Sequence, residues 1–202
     1  MPLWLEGRPL VLASKSEVRA KILAATGLRI EVRPAQLDER AAEAEGGATD
    51  ALAAARLLAH AKAQKIAVSL PGRVVLGADQ TLALGAQRFS KPADRAAAAT
   101  QLRELRGKTH ELHSAIALVR DGSTLFEHSE TARLTIRSFS NRFLEDYLDV
   151  VGNAALMSVG GYQLEGPGIH LFERIEGDYF AILGLPLLPL LAFLRTGGFV
   201  AK

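Results

Sequence analysis

No cysteine occurs anywhere in the 202 residues. Disulfide staples, zinc–thiolate centres and cysteine nucleophiles are therefore excluded. A stapled secreted scaffold goes with them, and a cytoplasmic location is the default expectation. Charge of one sign is also scarce: 24 Lys and Arg stand against 22 Asp and Glu, a formal net charge of +2. A broad nucleic-acid footprint needs a basic excess on one face, so no nucleic-acid partner is expected. Long apolar runs are missing too. The N-terminal stretch to Leu12 carries Glu6 and Arg8 and lacks the apolar centre of a signal peptide. The most apolar stretch, Phe180 to Leu194, is interrupted by Gly184, Pro186 and Pro189. It is too short and too broken to cross a hydrocarbon layer of ~30 Å. It reads as core, and no membrane partner is expected. The chain shows no repeat, heptad or low-complexity tract.

What is present is an ordinary globular balance, 49% hydrophobic and 23% charged, in a length that suits one domain spanning residues 1–202. Strands alternate with helices in the first half, and a hairpin signal, Asp121-Gly122, comes later. The pattern predicts an α/β fold, a mixed sheet with a second lobe built by the middle of the chain and a central cleft. Pro9 to Ala13 reads as a first strand and Arg29 to Arg33 as a second. The Ala/Glu/Gly segment up to Gly47 reads as a flexible loop. Thr49 reads as the N-cap of a long helix ending near Val68. A helix through Leu105 opens at Asp94 or a neighbour. Ser140 caps another helix that Gly152 ends. Ile169 to Phe172 and Tyr179 to Leu183 read as short strands, and Pro186 to Gly197 frames a last helix.

Five stretches carry candidate chemistry. Val74 to Gly77 is an apolar run that reads as a buried strand ending at Asp79. Ligand sites gather at the carboxyl ends of such strands, so Asp79 either holds a metal and activates water or simply caps a turn. Ser14-Lys15-Ser16-Glu17-Val18-Arg19 puts two hydroxyls and two cations on a strand-to-helix turn. That turn is either a phosphate cradle at a helix N-terminus or plain N-capping by Ser16. Lys62 shares a helix face with Leu58, Ala59 and Ile66. It either snorkels outward or meets a buried anion. Lys91, held out of the helical region by Pro92, precedes a helix start and is either a phosphate ligand or an exposed loop lysine. The glycine-rich run Gly160 to Gly168 permits close backbone approach to a ligand.

Taken in order, these stretches resemble the Maf family. Leu12-Ala13-Ser14-Lys15-Ser16-Glu17-Val18-Arg19 is similar to its L-A-S-x-S-x-x-R opening. Asp38-Glu39, Leu58-Ala59-His60-Ala61-Lys62-Ala63, Leu76-Gly77-Ala78-Asp79-Gln80, Lys91-Pro92, Leu164-Glu165-Gly166 and Leu183-Gly184-Leu185-Pro186 match further family motifs. The resemblance runs from Leu10 to about Leu194. It implies a fold similar to the inosine-triphosphatase group and hydrolysis of nucleoside triphosphates to a monophosphate and pyrophosphate. A divalent cation, Mg²⁺ or Mn²⁺, and a homodimer are implied with it. Carried over by position, Asp79 matches the proton acceptor, and Ser14, Arg19, Glu39, Lys62 and Lys91 match the other functional positions. Glu39 and Asp79 would share the cation, while Ser14, Arg19, Lys62 and Lys91 would hold phosphate. Val18, Gln80 and Glu165 match the positions linked with base choice. Two of the three side with the 7-methyl-GTP group, and Val18 departs from the aromatic found there. An alternative implied by the same family is a nucleotide-binding regulator of septum formation that needs no catalysis.

Overall fold

The computed structural model describes residues 3–201. Its strands and helices follow in the order β1 (Leu10–Leu12), α1 (Glu17–Ala25), β2 (Ile30–Val32), α2 (Glu39–Gly46), α3 (Ala51–Ser69), β3 (Val75–Leu84), β4 (Gln87–Phe89), α4 (Arg95–Leu105), β5 (Thr109–Arg120), β6 (Ser123–Ile136), α5 (Asn141–Val151), β7 (Phe172–Glu176), α6 (Tyr179–Ile182) and α7 (Leu187–Thr196). The strands pair in the order β2-β1-β3-β5-β6-β7, with β4 joined to β3. β1 runs parallel to β2 and β3, while β4 and β7 pair antiparallel. The fold is therefore mixed α/β, as the alternation of elements predicts.

The chain divides into two compact units, the first made of residues up to Gln80, Ser114–Glu130 and the chain from Asp178 onward. Its core follows the two-residue period of a strand buried on both faces. Leu10, Leu12, Leu76 and Ala78 pack on one face with Leu23, Leu185, Leu190 and Leu194. Val11, Ala13 and Val75 pack on the other with Ala63, Ala67, Ala117 and Val119. The hairpin between β5 and β6 turns at Asp121 and Gly122, with φ of 50° and 78°. Positive φ at both central residues is what a two-residue turn of matching twist requires.

The second unit comprises Thr81–His113 and Thr131–Gly177. There α4 buries Ala98, Ala99, Leu102 and Leu105, and α5 buries Leu144, Tyr147 and Leu148. Gly160 and Gly161 both have positive φ and lie buried. A Cβ on Gly160 would sit 2.8 Å from Leu82, and one on Gly161 would sit 3.6 Å from Ala98 and Leu102. These two glycines therefore admit the unit's own side chains.

Five expectations change. Residues 39–46 form α2, not a loop. Asp38 Oδ1 accepts from Ala41 N at 3.1 Å, and Gly47 closes the helix in the left-handed region. No residue of α2 is buried, so its sequence carries no apolar period to read, only helix-favouring Ala and Glu. The cap of α3 is Asp50, which accepts from Ala53 N, one residue later than Thr49. β3 does not stop at Asp79 but continues to Leu84. Tyr179 to Ile182 is one helical turn capped by Asp178, and 167–171 is a 3₁₀ segment that precedes β7. A short apolar run does not distinguish strand from buried turn, and here an aspartate cap decided.

Candidate active site

Asp79 owes its setting to where β1 ends. β1 pairs with β3 only as far as Leu12 opposite Leu76, and antiparallel pairing with β4 begins at Leu82. Asp79 thus lies past the carboxyl end of the parallel neighbour although its own strand continues, which reconciles a mid-strand acid with a ligand-site position.

Gly77 sets the distance from β3 to α3. A Cβ at Gly77 would fall 2.0 Å from Ala59 O and 2.7 Å from Ala63 N, so strand and helix touch backbone to backbone. Lys62, between those two alanines, reaches Asp79 as a result. Its Nζ donates to Asp79 Oδ1 at 2.5 Å and lies 2.7 Å from Glu39 Oε1. The Lys62 and Asp79 side chains are 12% and 10% exposed, whereas Glu39, the first residue of α2, is 53% exposed. Of the two readings left open for Lys62, the buried anion holds. Burial pushes the Asp79 carboxyl above its ordinary value; Lys62 and Arg19 pull it down, and Glu39 adds to the push.

Arg19 completes the charge cluster. Its Nε donates to Gly184 O at 2.7 Å, and its Nη1 donates to Ser14 Oγ at 3.1 Å and Ala78 O at 2.9 Å. Burial lowers its pKa while Asp79 and Glu39 raise it. An arginine guanidinium is not deprotonated at working pH. Two cations and two carboxylates therefore act on one another within a single unit. Ser14 Oγ also accepts from Ser16 N at 3.2 Å. With Arg19 and Ser16 filling its acceptor capacity, the hydroxyl keeps one O–H to give, which suits a phosphate oxygen. Ser16 does cap α1, its side chain accepting from Arg19 N at 3.3 Å. Helix capping by Ser16 and an uncommitted O–H on Ser14 thus coexist on this turn.

Gln80 behaves differently. Side chains alternate along a strand, so Gln80 faces away from Asp79 and toward α6. Its Nε2 lies 2.9 Å from Ser114 Oγ, 3.1 Å from Ala181 O and 2.9 Å from Ile182 O. Ser114 Oγ donates to Ala181 O at 2.6 Å. The amide nitrogen is spent on fold-internal acceptors, and only Oε1 remains for other work. Val18 is half-buried in the first turn of α1. Lys91 and Glu165 belong to the second unit: Lys91 is exposed between β4 and α4, and Glu165 is exposed in the turn before the 3₁₀ segment. The second unit also holds a cavity of about 220 Å³, lined by Tyr147, Val151, Ala155, Gln163 and Pro167 among others. It is largely apolar and offers no acid–cation pair.

Sequence reasoning missed Ser114 and the tethering carbonyls of Ala181 and Ile182. No motif marks a carbonyl acceptor contributed from a hundred or more residues away. Gly77 did have a signal, an isolated glycine inside a strand pattern, which marks close approach of another backbone.

The family model described as Maf-like protein matches residues 9–197. A protein of Rhodopseudomonas palustris named nucleoside triphosphate pyrophosphatase is 56% identical over 201 residues, covering all of both chains. One of the same name from Bradyrhizobium diazoefficiens is 52% identical, again over all of both. A protein of Brucella abortus named 7-methyl-GTP pyrophosphatase is 52% identical over 92% of this chain and 94% of its own. With a family match across nearly its whole length and full-length relatives above half identity, the chain belongs to the Maf-like proteins.

Proposed function

We propose that the chain is a nucleoside triphosphate pyrophosphatase, cleaving the bond between the α- and β-phosphates to give a nucleoside monophosphate and pyrophosphate. The observation that carries this reading is the buried Asp79 carboxylate, held by Lys62 beside Glu39 and flanked by Arg19 with Ser14. The names of its full-length relatives support it.

Asp79 takes the proton of the attacking water as the new P–O bond forms and the bridging P–O bond breaks. Its raised pKa makes it a better base than an ordinary aspartate, since base strength follows pKa. Arg19 and Lys62 oppose the negative charge that grows on the departing pyrophosphate, and preorganised cations in a partly buried site do this without reorganisation. Ser14 O–H bonds a phosphate oxygen and fixes the chain's register on the substrate. Lys91 serves as a further phosphate ligand in this reading.

Glu39 and Asp79 fit a divalent cation. Mg²⁺ is commonly held by one or two carboxylates together with substrate phosphates and water, not by a full protein cage, and the two carboxylates here already converge on one cationic group. Among the described residues no cluster of three or more His, Cys, Asp or Glu exists to make such a cage. A bound ion there would neutralise phosphate oxygens and acidify water. For base choice we favour a modified purine. The Glu165 carboxylate only accepts hydrogen bonds, which suits the N–H donors of a guanine edge and opposes the O4 acceptor of a pyrimidine. The name of the Brucella relative agrees.

The test is pyrophosphate release over a nucleotide panel with Mg²⁺ or Mn²⁺. Asp79→Asn should lower kcat by ~10²–10⁴-fold while nucleotide still binds. Full activity in that variant overturns the assignment of the base.

A further inference from the structure

One ammonium satisfies two carboxylates at this site. Lys62 Nζ is within hydrogen-bonding distance of both Glu39 Oε1 and Asp79 Oδ1, at 2.7 Å and 2.5 Å. The position is nearly closed to water on the Lys62 and Asp79 side. Oxygens that converge on an ammonium at these distances are the same oxygens a Mg²⁺ or Mn²⁺ ion would need, at ~2.0–2.1 Å for Mg²⁺. Two cations do not share one pair of carboxylates in a poorly solvated site, because their repulsion is weakly screened there. Lys62 therefore has to leave before the ion enters, and a buried ammonium leaves only for another anion. A polyphosphate is such an anion.

We propose that Lys62 competes with the divalent cation for Glu39 and Asp79, so that the ion enters together with the nucleotide and not ahead of it. The inference rests on the reading of Glu39 and Asp79 as the cation-holding pair. Lys62 thereby has two partners in turn: the carboxylates without nucleotide, the phosphates with it. The metal–nucleotide complex is the form that binds well. By reciprocity the polyphosphate raises affinity for the ion as much as the ion raises affinity for the polyphosphate. Arg19 does not share this role, because its Nε and Nη1 are committed to Gly184 O, Ser14 Oγ and Ala78 O.

The experiment titrates Mn²⁺ into nucleotide-free protein and follows free Mn²⁺ by electron paramagnetic resonance. Lys62→Met, which keeps the length and loses the charge, should bind Mn²⁺ at least about tenfold more tightly than wild type. Lys62→Arg should stay as weak as wild type. If a folded Lys62→Met binds no more tightly than wild type, the proposal is overturned. Removing one partner of a buried ion pair can prevent folding, so a second readout uses the wild-type chain with ¹⁵N-labelled lysine. Mg²⁺ alone should leave the Lys62 ammonium signal, which Lys62→Arg assigns, unmoved, and Mg²⁺ added with a non-hydrolysable nucleoside triphosphate should shift it; a shift with Mg²⁺ alone, or none with both, also overturns it. Neither readout requires turnover. A competing Lys62 in a chain that releases no pyrophosphate would reject the enzymatic reading alone. Turnover with no competition would reject only this inference.

Discussion

Replacing Gly77 by Ala adds one methyl group at the closest approach between β3 and α3. The new Cβ would meet Ala59 O at 2.0 Å, Ala63 N at 2.7 Å and Ala63 Cβ at 3.0 Å. The two nearest atoms are helix backbone, so no side-chain rotation relieves the clash, and α3 must move off the sheet by more than an ångström. Overpacking of this kind costs ~1–3 kcal/mol. For a chain of this size that corresponds to a Tm lowered by roughly 2–12 °C. The functional loss should exceed the stability loss. Lys62 lies between Ala59 and Ala63 and would be carried away from Asp79, ending the 2.5 Å contact. A displacement of ~1 Å in a positioned catalytic group costs ~10²-fold in rate. Calorimetry and pyrophosphate release on the same preparation measure both effects. Adding Ala63→Gly should not rescue the variant, because it leaves the contact with Ala59 O in place. A Gly77→Ala protein with wild-type Tm and wild-type turnover would refute the claim that strand and helix touch backbone to backbone here.

Activity should depend on pH through Asp79. Burial raises its folded pKa, so the base form appears only as pH rises through that raised value, and the acid limb of kcat/KM should lie above the ordinary aspartate range. The same raised value favours the fold at low pH, and this contribution is lost as pH rises through it; an acid limb at the ordinary value would contradict the burial argument. His110 carries the opposite sign. Burial pushes it down to about 4, and its Nε2 is paired with Tyr162 OH at 2.6 Å. The unfolded chain protonates first as pH falls, so roughly 3 kcal/mol present at pH 7 should be lost between about pH 6.5 and 4. Tm measured across that range should fall less steeply in His110→Phe, and equal slopes would reject the role of His110. Glu165→Gln should move the kcat/KM ratio from 7-methyl-GTP toward UTP, and an unchanged ratio would remove Glu165 from base choice.

Much of this molecule was legible because local chemistry and tertiary need agree. Ser16, Asp94 and Ser140 cap the helices they precede, and Asp121-Gly122 turns the hairpin it announces. The ordered motifs pointed to Asp79, Lys62, Glu39, Arg19 and Ser14, and the structure gathers those five in one unit. Where the reading missed, the deciding force was not local. α2 buries nothing, so it leaves no apolar stripe. α6 is too short to show a period. Gln80 adjoins Asp79 in sequence, yet the pleat turns it to the opposite face, where α6 carbonyls take its amide.

The sequence alone determined most of the elements, the caps at Ser16, Asp94 and Ser140, and which side chains bear the charge of the site, since propensity, capping and residue type act within a few neighbours. Only the tertiary structure decided that Lys62 pairs with Asp79 and Glu39, because that choice depended on a helix lying against a glycine of a strand formed later in the chain. It also decided which atoms of Arg19 and Gln80 stay available to a ligand. That outcome is set by carbonyls remote in sequence, whose positions no local pattern records.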